Sequence, residues 1–310
     1  MPQDTHETTP TQFAEAGGIR FAYRRFGRRG GTPLLLLGYF TANLDRWDPK
    51  VTNGFAAERE VILVDYPGIG GSSGETPSTV ATLTKACVEF CSALGLTRFD
   101  VLGFSLGGMI AQQLAADHPE MVRRIILTGT GPRGGEGMVF EELSADELDD
   151  EVGLIMNAFF TQSEPSKTAG RAYLERLKLR ADNAPVSKQA ARAELAAIRE
   201  WGVIPKTDRF AVLGQIHHPT LVVPGARTSS SYRSMHSFSL IISPMLNSSC
   251  TRMRTTAHIR SMPRTSWKMR GCFSMGEARG GVDCSSGDEA SPLHRLSYYR
   301  ENRSCECRPQ

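Results

Sequence analysis

Short unbroken apolar runs alternate along the first half of the chain with segments of helical spacing. Gly18 to Phe26 alternates polar and apolar well enough for a first strand. Pro33 to Gly38, Glu60 to Asp65 and Val122 to Thr128 each enclose a continuous apolar run, the mark of a parallel strand buried on both faces. Thr79 to Gly95 has helical spacing and stops at Gly95. Phe99 to Leu102 is another apolar run, and after it Met109, Ile110, Leu114 and Ala115 fall on one face of a helix. Strands that alternate with helices predict an α/β fold: a doubly wound, mostly parallel sheet covered on both faces.

The rhythm breaks at Pro132–Gly137. From Val139 to about Gly202 no strand is signalled, and helices are expected over Glu141–Phe160, Lys167–Leu179 and Val186–Trp201. Pro219–Val223 resumes the sheet. The segment between two sheet strands reads as an inserted helical cap; plain surface helices are the alternative. The expected organisation is a disordered leader over 1–15, a core over 16–131, a cap over 132–212, a last core strand within 213–226 and an aberrant tail over 227–310.

The chain of 310 residues is long enough for one large core with an insert. It is 40% hydrophobic and 22% charged, ordinary values for a globular protein. No apolar run reaches the roughly 18–20 residues of a membrane helix. Met1–Pro10 is polar, so a cytoplasmic protein is expected. The net charge of +3 is divided unevenly: residues 227–310 carry +7 and the remainder −4. Five of the seven cysteines also lie in that last part. Cys87 and Cys91, four apart on a helix, suit buried thiols.

One stretch organises the chemistry. Gly103-Phe104-Ser105-Leu106-Gly107 is a G-x-S-x-G pentapeptide between an apolar run and a helical pattern. Strand, sharp turn and helix is the context of a nucleophile elbow. The glycines leave room for a crowded turn, and the serine hydroxyl is lifted clear of both elements. The Leu106 N–H falls at the helix start, where backbone donors have no partner in the helix. A glycine-rich loop with a chance serine is the bland alternative.

In combination, the elbow, the turn Asp65-Tyr-Pro-Gly-Ile-Gly-Gly-Ser, the segment Trp47-Asp48-Pro49 and the strand Pro219–Val223 resemble the α/β-hydrolase family over residues 16–225. The resemblance implies an eight-stranded sheet, a helical cap and a serine hydrolase with Ser, Asp and His in that order. Ser105 would attack an acyl carbon, and two N–H groups would hold the oxyanion. One is that of Leu106. The other follows the third strand, where the family has His-Gly-X. Here the stretch is Gly38-Tyr39-Phe40, so Phe40 is the matching donor and the His-Gly pair is replaced.

The acid and the base are missing from their expected places. After Val223 no Asp or Glu occurs until Glu277, and Leu127–Gly131 has none. His217 and His218 precede their strand, and His118 lies at the far end of the elbow helix. His258 alone is near the expected place for a base. The 84 residues from Arg227 hold 17 serines and 12 arginines but only eight Val, Ile and Leu, too few to complete a buried sheet. A basic disordered tail is one reading, which the scattered Trp, Met and Cys oppose.

A frameshift is the other. In the frame built from the third base of each codon and the first two of the next, Arg227–Arg233 permits Asp-Val-Val-Val-Val-Pro. Arg252–Ala257 permits Asp-Ala-x-His-Gly. Both resemble the family's acid and histidine loops. The expectation is thus an ester or acyl hydrolase impaired by loss of its proton relay. A cofactor-free haloperoxidase or perhydrolase, or a binding protein with a basic tail, are the alternatives. The substrate would be a small apolar or acyl molecule. No nucleic acid, membrane, cofactor or metal is expected; Cys305-Glu-Cys307 lacks a second ligand pair. Met156, Phe159 and Phe160 would line an acyl pocket or pack cap to sheet.

Overall fold

The computed structural model describes residues 4–135, 150–180, 186–205, 207–208 and 210–223. Seven strands form one sheet: β1 (Gln12–Ala16), β2 (Ile19–Gly27), β3 (Leu34–Leu37), β4 (Glu60–Val64), β5 (Phe99–Phe104), β6 (Val122–Thr128) and β7 (Thr220–Val223). Their order is β1-β2-β4-β3-β5-β6-β7. β1, β2 and β4 pair antiparallel, and every later pair is parallel. The family's eighth strand would fall after Val223, outside the described residues.

The strands form where the apolar runs predict them. All four leucines of β3 and all five residues of β4 are buried, as strands covered on both faces require. Three helices pack on this sheet: α1 (Pro49–Ala56), α2 (Val80–Ala93) and α3 (Leu106–Asp117). Asp48 caps α1 by accepting from the Lys50 N–H, with Pro49 in the first turn. Thr79 caps α2, which stops before Gly95 at φ +65°.

Between β6 and β7 the described residues form α4 (Glu151–Phe159), α5 (Glu164–Leu177), α6 (Lys188–Gly202) and the short α7 (Ala211–Gln215). The part of the first expected helix that falls within 141–149 lies outside the described residues. α6 buries Ala190, Ala191, Leu195, Ala197, Ile198 and Trp201 on one face. The indole N–H of Trp201 donates to the Gly131 carbonyl just beyond β6 at 3.1 Å.

The N-terminal segment differs from the leader expected over 1–15. Gln12–Ala16 pairs with β2, and His6 and Thr9 are buried. Polar anchors hold it, which is why apolar patterning did not signal it. The His6 N–H donates to Asn53 Oδ1 at 2.8 Å, His6 Nδ1 lies 3.0 Å from Thr52 Oγ1, and Arg180 Nη1 donates to the carbonyls of His6, Glu7 and Thr9. No described helix is long and apolar enough to cross a membrane.

Candidate active site

Chain order and strand order part company between β3 and β5. From β3 the chain steps to β4 on one side, then crosses to β5 on the other. The carboxyl ends of β3 and β5 therefore flank a topological switch point, the place where open α/β sheets leave a crevice. Ser105 follows β5 directly, and Gly38-Tyr39-Phe40 follows β3.

Ser105 has φ +52° and ψ −113°, a conformation that a residue with a side chain adopts only when its surroundings impose it. Its N–H donates to the Thr128 carbonyl at 3.0 Å, and its carbonyl accepts from Thr130 Oγ1 at 2.8 Å. The same carbonyl accepts the Gly108 and Met109 N–H groups, which starts α3. The flanking glycines are sterically required. A Cβ on Gly103 would lie 2.4 Å from the Gly107 carbonyl oxygen, and one on Gly107 would lie 2.0 Å from that of Leu37. Ser105 is 6% exposed, and its Oγ has no hydrogen-bond partner among the described residues.

The two expected oxyanion donors come from adjoining segments. The Gly107 N–H donates to the Gly38 carbonyl at 2.9 Å, which ties the start of α3 to the loop after β3. Tyr66 Oη donates to the same carbonyl at 3.0 Å. Leu106 is one residue before this tie and Phe40 two residues beyond it. Neither N–H has a backbone acceptor among the described residues. The loop closes on itself through Ala42 N–H to the Tyr39 carbonyl, 3.0 Å, and Thr41 Oγ1 to the Phe40 carbonyl, 2.7 Å.

Two carboxyls near this loop escape the sequence reading. Glu194 of α6 is fully buried, and its Oε2 accepts the Thr41 N–H at 2.6 Å. Burial pushes its pKa up to about 8 against the opposing effect of that hydrogen bond. An acid in the middle of an apolar helical stripe was the available signal. Asp65, after β4, accepts from the Leu44 N–H at 2.7 Å and the Gly71 N–H at 2.9 Å. Burial raises it to about 7.

Aromatic rings cover the elbow. Phe104 packs with tilted rings, centroids 5.1 Å apart, against both Tyr39 and Phe159 of α4, and Phe159 meets Tyr39 edge-on at 5.0 Å. Trp47 lies 6.4 Å from Phe104. Phe160 turns instead to Tyr173 of α5, whose Oη lies 3.2 Å from Tyr39 Oη.

The remaining histidine candidates are elsewhere. His118 caps the far end of α3, about 18 Å of helix from Ser105. His218 Nε2 lies 2.9 Å from the Pro119 carbonyl at that same end, and His217 is exposed. An open depression lined by Gln113, Asp117, Arg133 and Val212 does not include Ser105. His258, Cys305, Cys307 and both stretches that permit a shifted-frame triad lie outside the described residues. Among the described residues no cluster of three His, Cys, Asp or Glu could hold a metal ion.

Comparison with known proteins places the fold. The family model for the alpha/beta hydrolase fold matches residues 32–229, ending two residues past Arg227. An alpha/beta hydrolase fold protein from Chitinophaga pinensis is 38% identical with a TM-score of 0.70, over 78% of this chain and 88% of that one. The poly(3-hydroxyalkanoate) depolymerase of Ectopseudomonas oleovorans is 36% identical over 36% of this chain and 39% of its own. The pimeloyl-[acyl-carrier protein] methyl ester esterase of Chromobacterium violaceum is 30% identical over 57% of this chain and 69% of its own. Several curated relatives are matched over less than half of their length.

Proposed function

Because the chain belongs to the α/β-hydrolase fold family, whose matched members include an esterase and a depolymerase, we propose that it is a serine hydrolase by descent, built to cleave an ester or similar acyl bond through Ser105. The observation that carries this is the Ser105 backbone at φ +52° on the sheet's switch point, beside a loop tied to the start of α3. An acyl carbon presented there meets the hydroxyl. The carbonyl oxygen, becoming an oxyanion as the bond forms, would be received by the Leu106 and Phe40 N–H groups. α4–α6 act as the cap, and Phe104, Phe159 and Tyr39 favour an apolar acyl group.

The proton relay is the weak part of the machine. Thr130, after β6, donates to the Ser105 carbonyl and carries no charge. No described carboxylate or imidazole bonds to Ser105 Oγ. The change of composition at Arg227 and the end of the family match at residue 229 support a shifted reading frame that removed acid and base together. Loss of triad members leaves about 10³–10⁴-fold catalysis over water from the remaining groups.

A fluorophosphonate tests the assignment. Slow but stoichiometric modification mapped to Ser105, absent in Ser105→Ala, is the expected result. No modification after prolonged exposure sinks the serine reading and leaves the binding-protein alternative.

A further inference from the structure

Glu194 is an acid placed where the physics of α6 calls for an aliphatic residue. Its neighbours on the buried face are Ala190, Ala191, Leu195, Ala197, Ile198 and Trp201. It is fully buried, and its Oε1 has no hydrogen-bond partner among the described residues. Burying such a group is costly unless it makes a strong hydrogen bond. The one it makes is short, 2.6 Å, and goes to the N–H of Thr41.

Thr41 is no ordinary donor. It has φ +61°, in the left-handed region that a β-branched residue avoids. The peptide group between Phe40 and Thr41 is gripped at both ends. Its carbonyl accepts Thr41 Oγ1 at 2.7 Å, and its N–H reaches Glu194. That grip sets the plane of the peptide next to the one that carries the Phe40 N–H, and only the two torsions of Phe40 lie between them.

We propose that Glu194 is a positioning residue for oxyanion binding: by accepting the Thr41 N–H it holds the loop after β3 in the conformation that presents the Phe40 N–H to the acyl oxygen. This rests on the reading of Ser105 as nucleophile. It links the insert to the hole, because the holding group belongs to α6 and the donor to the β3 loop. The ionisable groups that face Glu194 are few. Tyr66 feels its charge, and Tyr66 in turn neighbours Cys87 of α2.

The test uses the full chain labelled with ¹⁵N-threonine, the Thr41 amide signal being assigned by its loss in Thr41→Ser. In the wild type that signal is expected to shift with pH around a single midpoint near 8, where burial places the Glu194 carboxyl. In Glu194→Gln the shift disappears while the signal stays in place. In Glu194→Met the N–H loses its acceptor, and its solvent exchange accelerates. Fluorophosphonate modification of Ser105 slows about tenfold in Glu194→Met, since a misaimed donor forfeits part of what its removal would cost, and stays within about threefold of wild type in Glu194→Gln.

A Thr41 signal indifferent to pH, or still titrating in Glu194→Gln, overturns the proposal, and so does wild-type labelling in Glu194→Met. If Glu194→Met does not fold, the titration in Glu194→Gln decides alone. If the wild type is never labelled, the serine reading fails, and the amide signal still decides whether Glu194 holds the loop.

Discussion

Ser105 keeps its left-handed backbone because Thr128, Thr130 and two close-packed glycines leave it no other conformation. Such strain costs of order 1–3 kcal/mol and persists only where neighbours impose it. Gly107→Ala should therefore destabilise the fold by about 3 kcal/mol or more, because the new methyl would meet backbone rather than a movable side chain. Urea denaturation measures this, and an unchanged midpoint would contradict the contact with Leu37. Thr130→Val should cost about 1 kcal/mol and slow labelling of Ser105, through loss of one hydrogen bond to the elbow carbonyl. The buried carboxyls set a pH dependence. Unfolded Glu194 ionises near 4.5, whereas the folded one keeps its proton to about 8. Between those values the unfolded state binds fewer protons, so stability falls as pH rises. Asp65, raised to about 7, acts in the same direction. Urea midpoints from pH 5 to 8 should decline, and Glu194→Gln should flatten the decline. Glu194 was visible in the sequence as an acid inside an apolar stripe. Its partner was not, because Thr41 lies 153 positions away.

At the scale of elements, the insert is fastened to the body by polar clasps as well as by rings. Arg176 of α5 makes a two-pronged pair with Asp48, the cap of α1, at 2.8 and 2.7 Å. Both side chains are partly exposed, so Arg176→Ala should cost only about 1 kcal/mol. Its larger effect should be local: faster proteolysis within α4–α6 and little change elsewhere. The N-terminal segment has its own clasp at His6, whose pKa burial lowers to about 4. The unfolded imidazole takes up a proton near 6.5 and the folded one resists to about 4, so stability is lost as pH falls through that window. Protection of the β1 amides, taken relative to the intrinsic exchange rate at each pH, should decline between pH 6.5 and 4, and His6→Gln should remove the decline. The strands buried on both faces were legible because their apolar runs are continuous, too short for a helix and bounded by turn residues. β1 was not legible: its inward residues are only half-buried, and polar bonds to Asn53, Thr52 and Arg180 hold the residues before it.

Over the whole molecule, the sheet's switch point brings β3 and β5 together and leaves β7 at one edge of the described sheet. The apolar side chains of β7 are only partly buried. Unpaired edges invite association, so the full chain should scatter light on warming at low concentration. A monodisperse sample with a single sharp, high thermal transition would show that something in residues 224–310 completes the edge. The coding DNA gives an independent check. The shifted frame should stay open beyond codon 227 and encode Asp there and His at codons 255 and 256; an early stop codon would end that account.

The pattern of residues alone determined the strands buried on both faces, the longer helices, the parallel part of the sheet and the place of Ser105, because these depend on local spacing and on which side chains avoid water. The absence of an acid and a base from their expected positions was likewise written in the chain. Only the tertiary structure decided what meets at the crevice: Gly38 beside Gly107, Phe159 over Phe104, and Glu194 against Thr41. Those pairings join residues far apart in the chain, and their geometry follows from strand order and helix packing, which no local spacing encodes.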